Sequence, residues 1–97
     1  MFVVCFEQAI IGGRRLEHEE AHRAALAILA TLPGFLGGAL FHFRGQPYRY
    51  RFETRWASRE DWQRFADGDA FPAFRKRLDE NLSAPFVTEL FDVKVEG

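Results

Sequence analysis

The stretch YRYRFETRW, residues Tyr48–Trp56, constrains the fold more than any other part of the sequence. Aromatic and charged residues alternate along it, so an extended chain would place the aromatic side chains on one face and the charged ones on the other. A strand of this kind is half-buried, with one face packed on a core. The sequence therefore predicts a sheet that has one covered face and one charged face.

The other regular segments follow from composition and hydrophobic spacing. Strands are predicted over Phe2–Ala9, Phe35–Phe43 and Phe86–Val95. One helix is predicted over Arg14–Leu32. A second helical region begins after the capping Ser58 and extends to Leu82, with a break at residues 67–69 (DGD). The order is β-α-β-β-α-β, which predicts a ferredoxin-like α+β fold: a four-stranded antiparallel sheet with two helices on one face. We expect residues 1–97 to form a single domain.

The aromatic content is high for such a short chain, at 15% with eleven Phe. Each aromatic side chain buries about 150–250 Å², and two helices leave the second face of the sheet bare. We therefore expect a homodimer that is joined through the sheet faces.

Charge and hydropathy argue against several other partners. The net charge of −1 and the sequence pI near 6.3 provide no basic surface for nucleic acid. No apolar run approaches the roughly 18 residues that a membrane span needs, and the first residues lack the basic segment of a signal peptide. The single cysteine, Cys5, excludes an internal disulfide and favours a reducing compartment, so we expect a cytoplasmic protein.

Residues 18–22 read HEEAH and match H-E-x-x-H, in which two histidines of a helix bind zinc and the Glu is a general base. At 100° per residue, His18 and His22 lie on the apolar stripe of the helix, whereas Glu19 turns toward its solvent edge. Three interpretations of the histidines stay open: partly buried imidazoles bonded to the sheet, residues that line a pocket, or a metal-binding pair.

A catalytic zinc needs three protein ligands and an open position, and His42 is the remaining histidine. A turn across residues 45–46 would pair Phe41 with Tyr50 and His42 with Arg49, which places His42 on the face away from the helices. A shift of one residue would reverse this orientation. We therefore expect no metal site.

Several stretches resemble the antibiotic-biosynthesis monooxygenase family of dimeric α/β barrels. They are Pro33–Gly37 (PGFLG), residues 52–60 (FETRWASRE), and the spaced Phe65, Phe71 and Phe74 with the basic Arg75 and Lys76. The resemblance extends over roughly residues 2–95. It implies a homodimer whose sheets pack face to face, and a pocket in each subunit between sheet and helices.

Members of this family differ in chemistry. Some oxidise phenolic or quinol-like aromatics with O2 and no cofactor, and others bind and degrade haem. The haem-degrading branch needs an Asn on the first strand, and a Trp and a ligand His on the second helix. The matching positions hold Glu7 or Gln8, Phe65 and Arg75, and arginine is no ligand for iron, so we expect no cofactor.

An oxygenase of this kind needs an apolar cavity, a general base and a donor for developing negative charge. We predict His22 as the base, His18 as the second choice, and Arg75 as the partner of an oxyanion. The predicted wall for a small aromatic substrate is formed by Tyr50, Phe52, Trp56, Trp62 and Phe65. The alternative is a non-catalytic module that binds a small aromatic or haem, since both functions require the same pocket.

Overall fold

The computed structural model describes all 97 residues, Met1–Gly97. Its elements are β1 (Phe2–Ala9), α1 (Arg15–Leu29), β2 (Phe35–His42), β3 (Arg49–Trp56), α2 (Arg59–Ala66), α3 (Phe71–Asp79) and β4 (Val87–Asp92). The strands form one antiparallel sheet in the order β2-β3-β1-β4. The ferredoxin-like α+β fold is confirmed, with three helices on one face of the sheet.

The third helix arises because the second helical region is divided by residues 67–69, the DGD segment that predicted a break. Helix α2 begins after Ser58, whose Oγ accepts a hydrogen bond from the backbone N–H of Asp61 at 3.2 Å. This bond satisfies one of the free N–H groups at the start of a helix. The predicted cap is therefore present.

The alternation along β3 determines what the core contains. Tyr50, Phe52, Thr54 and Trp56 are buried beneath the helices, while the residues between them lie on the opposite face. Each buried residue is paired across strands with a buried residue of β1: Gln8, Phe6, Val4 and Phe2 in turn. The core is thus continuous over the two central strands.

The predicted orientation of His42 is wrong, because the register of β2 against β3 is shifted by one residue. His42 pairs with Tyr50, and Phe41 pairs with Arg51. Two successive turns connect the strands, closed by hydrogen bonds from Gln46 N–H to the Phe43 carbonyl and from Arg49 N–H to the Gln46 carbonyl, both at 3.1 Å. The connection is longer than a two-residue hairpin turn, so His42 lies on the helix side and Phe41 on the outer side.

The outer face of the sheet, which no helix covers, combines paired charges with apolar groups. Glu7 forms an ion pair with Arg51, which also approaches Glu89 at 3.7 Å. Arg51 covers Cys5, with Nη2 at 3.2 Å from Sγ, and burial raises the pKa of that thiol. Phe41 and Phe91 remain 46% and 41% exposed on this face.

None of the three helices has the length and apolar character that crossing a membrane requires.

Gly34 lies in the connection between α1 and β2, where the backbone takes a positive φ of 80°. Its carbonyl accepts a hydrogen bond of 2.7 Å from Ala57 N–H, which joins this connection to the end of β3. A Cβ at position 34 would overlap the carboxyl group of Asp61. Glycine is therefore required here for two reasons, the left-handed backbone and the close approach of Asp61.

We expect Gly34→Ala to destabilise the fold more than Gly45→Ala. Gly45 also has a positive φ, of 79°, but a Cβ there would meet nothing within 4 Å. The Gly45 variant should cost about 1–2 kcal/mol for the left-handed backbone alone. The Gly34 variant should cost more, and adding Asp61→Ala should recover part of the difference in a double-mutant cycle of urea unfolding. Equal costs for the two glycine variants would contradict this explanation.

Candidate functional site

A cavity of about 320 Å³ opens between α1, the edge strand β2 and β3. It is lined by Arg15, Glu19, His22, Arg23, Leu26, Leu40, His42 and Tyr50. The five residues from α1 are separated by one, three or four positions, so they form a single stripe along the helix. The cavity therefore combines aromatic and aliphatic walls with two imidazoles, a carboxylate and two guanidinium groups.

Two larger clefts have less suitable chemistry. A groove of about 810 Å³ between α1 and α3 is lined mainly by charged side chains and contains no imidazole or thiol. A cleft of about 440 Å³ at the end of the sheet has Glu7, Tyr48 and Arg49 as its ionisable side chains. Neither cleft contains a histidine, so the cavity between α1 and β2 is the candidate site.

Behind this cavity, the amide of Gln8 lies between His18 and His22, and all three side chains are buried. His18 Nε2 donates to Gln8 Oε1 at 2.9 Å, and Gln8 Nε2 donates to His22 Nε2 at 2.9 Å. His22 Nδ1 then donates to the backbone carbonyl of His18 at 2.8 Å. This pattern of donors and acceptors assigns a neutral tautomer to each ring, with the proton on Nε2 of His18 and on Nδ1 of His22.

Burial keeps both rings neutral. It lowers the pKa of His18 and of His22 from 6.5 to about 4, and for His18 the neighbouring His22 lowers the pKa further. His18 Nδ1 is buried without a hydrogen-bond partner, so a proton placed there would have no acceptor. A second proton on His22 would meet the NH2 group of Gln8. The network is therefore stable only with both imidazoles uncharged.

At the mouth of the cavity, one oxygen of Glu19 accepts two hydrogen bonds. Tyr50 Oη donates to Glu19 Oε2 at 2.6 Å, and Arg15 Nε donates to the same oxygen at 3.0 Å. These bonds lower the pKa of Glu19, the one from Tyr50 most strongly. Burial, helped by the bond to Glu19, raises the pKa of Tyr50 to about 12. Glu19 is thus a fixed carboxylate and Tyr50 a fixed donor.

His42 forms the opposite side of the mouth. Its ring stacks on Tyr50 with the centroids 4.6 Å apart and the planes at 21°. Its Nε2 donates to the carbonyl of Pro47 at 3.2 Å. The side chain that was predicted to point away from the helices therefore belongs to the cavity, because the register of β2 differs from the predicted one.

Glu19 lies at the solvent edge of the helix, as the helical wheel predicted, with its side chain 36% exposed. It nevertheless lines the same cavity as His22, which the wheel did not predict. Helix α1 leaves that edge open toward β2, so the solvent edge of the helix is the wall of the cavity. Even so, no three His, Cys, Asp or Glu side chains converge closely enough to hold a metal ion.

Four of the five predicted substrate-binding residues lie in the core. Trp56 packs against Trp62 and Phe65, with ring centroids 5.7 and 5.9 Å away, and Trp62 packs against Phe6 at 6.1 Å. Phe52 is fully buried beside His22. Tyr50 is the member of the set that reaches the cavity between α1 and β2. A role in binding stays a prediction for Phe52, Trp56, Trp62 and Phe65.

Two of the three predicted catalytic residues lie side by side, since the ring centroids of His18 and His22 are 4.3 Å apart. His22 borders the cavity, whereas His18 lies behind it, bonded to Gln8. Arg75 is on α3, over the ring of Phe86 at 4.7 Å, and does not line the cavity. The sequence analysis did not identify Glu19 as a residue of the cavity wall. Its position on the same helical stripe as Arg15 and His22 could have indicated this.

The model of the antibiotic biosynthesis monooxygenase family matches residues 1–77 of the chain. The chain belongs to this family. The resemblance seen in the sequence is thereby confirmed. No curated protein sequence matches the chain significantly.

Solved structures of the family share the fold over almost the whole chain. A putative antibiotic biosynthesis monooxygenase from Bordetella bronchiseptica is 19% identical, with a TM-score of 0.85 and 97% of each chain covered. SnoaB from Streptomyces nogalater, a cofactor-independent oxygenase, is also 19% identical, with a TM-score of 0.82 and 98% of this chain and 95% of SnoaB covered. At these identities, the similarity establishes a monooxygenase-type fold.

The two neutral histidines make stability depend on pH. In the unfolded chain they take up protons near pH 6.5, and in the folded chain only near pH 4. Between these values the unfolded state binds more protons, so the free energy of unfolding should fall as the pH is lowered from about 6.5 to about 4. Urea unfolding midpoints measured across this range would show the fall.

The variant for this test is His18→Gln, compared with the wild-type protein. It removes a buried imidazole and should reduce the fall. A midpoint that does not move between about pH 7 and pH 4.5 would contradict the assignment of neutral rings.

Proposed function

We propose that this protein is a cofactor-independent monooxygenase that oxidises a small phenolic or quinol-like aromatic in the cavity between α1 and β2. One observation carries the proposal: in a chain of this family, that cavity combines proton acceptors with an aromatic and aliphatic wall. The similarity in fold to the cofactor-independent oxygenase SnoaB supports it. The ring of the substrate would lie against Leu26, Leu40 and Tyr50.

The chemistry needs no cofactor because an aryloxide is rich enough in electrons to reduce O2. A base removes the hydroxyl proton, and the electron pair of the O–H bond stays on the oxygen. The ring carbon opposite that hydroxyl then loses its C–H bond and becomes a carbonyl. One atom of O2 enters the product, the other leaves as water, and all four electrons come from the substrate.

The protein would contribute a position for the ring, an acceptor for the proton and positive charge beside the new anion. Arg15 and Arg23 line the cavity wall and would supply that charge, and each is held by an ion pair with a glutamate of α1, Glu19 or Glu20. Fixed charges near a developing anion stabilise the transition state, because they need not reorganise during the reaction. Burial of the ring between α1 and β2 would keep water away from the reduced oxygen species.

The proposed oxygenase activity can be tested with 1,5-dihydroxynaphthalene as the substrate. We expect the wild-type protein, freed of metal by a chelator, to consume one O2 for each 5-hydroxy-1,4-naphthoquinone formed, above the rate in buffer. With ¹⁸O2, one labelled atom should enter the quinone and one should appear in water. An oxygen electrode measures the O2 consumed, and mass spectrometry measures the labelled products. Saturable binding of the naphthalene diol without oxygen uptake would contradict the proposed oxygenase activity.

That negative result would support the second candidate function, a module that binds a small aromatic without turnover. A specific observation favours this alternative: both nitrogens of His22, the predicted base, are occupied by other partners. Nε2 accepts from Gln8 and Nδ1 donates to the carbonyl of His18. A proton could reach His22 only after the Gln8 amide has turned away.

We also propose that the protein is a homodimer in which the outer sheet faces of two copies pack together. The proposal is supported by Phe41 and Phe91, which stand exposed on that face beside the apolar Val3 and Val87. The charged residues of the face are already paired within the chain, such as Arg51 with Glu7. Paired charges cost less to bury than isolated ones.

Sedimentation equilibrium at micromolar concentration should therefore show a dimer. Phe41→Glu should shift the protein toward the monomer and lower its thermal stability, since folding and association are coupled in such dimers. Leu16→Glu is the matched control: Leu16 is 79% exposed, but it lies on α1 rather than on the outer face. A folded wild-type monomer at this concentration would contradict the proposal.

A further inference from the structure

His42 lines the cavity and has one ring nitrogen without a partner in the chain. Its Nε2 donates to the carbonyl of Pro47 at 3.2 Å, which fixes the tautomer with the proton on Nε2. Nδ1 therefore carries the lone pair, and no group of the chain donates to it. The stack on Tyr50, at 4.6 Å, limits rotation of the ring.

The other two imidazoles offer no such atom. Gln8 accepts from His18 Nε2 and donates to His22 Nε2, and His22 Nδ1 is bonded to a backbone carbonyl. His18 Nδ1 is unpaired, but the residue is fully buried and does not line the cavity. Of the three histidines, His42 alone combines an unoccupied ring nitrogen with a place in the cavity wall.

Glu19 complements this arrangement. Its Oε2 is held by Tyr50 and Arg15, at 2.6 and 3.0 Å, and its Oε1 has no partner. Both Glu19 and His42 line the cavity. Tyr50 connects the two residues, because its hydroxyl donates to Glu19 and its ring stacks on His42. A fixed negative charge of this kind stabilises an imidazolium that forms beside it.

We propose that His42 removes the hydroxyl proton from the aromatic substrate, and that Glu19, held by Tyr50 and Arg15, stabilises the protonated ring. This inference rests on the proposed function. In the step, the substrate O–H bond breaks and its electron pair stays on the oxygen. The proton moves to Nδ1 of His42, and the product of the step is an aryloxide beside an imidazolium.

The rate should therefore increase with pH and reach a plateau, because only the neutral imidazole accepts a proton. The charged and titratable groups that face His42 in the cavity are Arg15, Glu19, His22 and Arg23 from α1 and Tyr50 from β3.

The test compares His42→Gln with the wild-type protein, using 1,5-dihydroxynaphthalene. A glutamine side chain can still donate to the carbonyl of Pro47, and the exposed position should tolerate it. We expect kcat to fall by roughly 10²–10⁴, the usual contribution of a general base, with little change in binding and with loss of the increase in rate with pH. Glu19→Gln, which removes the charge and keeps a side chain of similar shape, should lower kcat by a smaller factor with little change in KM, and Arg44→Gln in the neighbouring turn is the control with wild-type kinetics.

A second measurement does not depend on turnover. Under anaerobic conditions, imidazole ¹⁵N NMR should show His42 Nδ1 shifting as the probe is added, while Nε2 of His22 keeps its shift. If the wild-type protein binds 1,5-dihydroxynaphthalene without consuming O2, the proposed oxygenase function is wrong. The NMR titration still shows, in that case, whether the hydroxyl of the bound compound contacts Nδ1 of His42.

The inference is overturned if His42→Gln keeps the wild-type kcat and pH profile, or if His42 Nδ1 does not shift at saturating probe. A His22→Gln variant that alone loses the increase in rate with pH would also overturn it, and would assign the proton to His22.

Discussion

The amide of Gln8 joins helix α1 to β1, one of the two central strands of the sheet, and the position of the cavity depends on this connection. It bonds to two imidazoles one helical turn apart, so the helix cannot rotate about its axis or slide along the sheet without breaking a buried hydrogen bond. Each buried polar group left unpaired would cost about 1–3 kcal/mol. With the helix fixed in this rotation, Glu19 and Leu26 must face β2. The buried contact between α1 and β1 thus determines which side chains of α1 line the cavity.

The aromatic residues explain why the cavity lies at the edge between α1 and β2 and not beneath α2 and α3. The region between those two helices and the sheet is filled by four aromatic side chains, Trp62, Phe65, Phe71 and Phe74. Their neighbouring ring centroids are 5.1–6.2 Å apart. Edge-to-face packing of this kind leaves little room for a ligand. Along α1, by contrast, the residues that face the sheet are alanine, leucine and histidine. The smaller side chains leave the edge near β2 open.

The sequence predicted those parts of the fold that depend on local pattern. Alternation along β3 identified Tyr50, Phe52 and Trp56 as one buried set, because side chains of a strand point to opposite faces with a period of two. It could not predict the side of His42, which depends on the length of a connection and on a bulge between Phe35 and Gly37. Nor could a helical wheel place Glu19 in the cavity wall, since it gives an angle about the helix and not the position of the neighbouring strand.

The HEEAH segment illustrates how tertiary contacts decide the meaning of a motif. Spacing of i and i+4 places two imidazoles on one side of a helix in any fold. In a metal site their free nitrogens would point at one ion, whereas here the Nε2 atoms of both rings point at Gln8. The Glu of the motif meets Tyr50 and Arg15 instead of a metal-bound water. The same five residues therefore attach a helix to its sheet and, through Glu19, supply a carboxylate to the cavity at the edge of that contact.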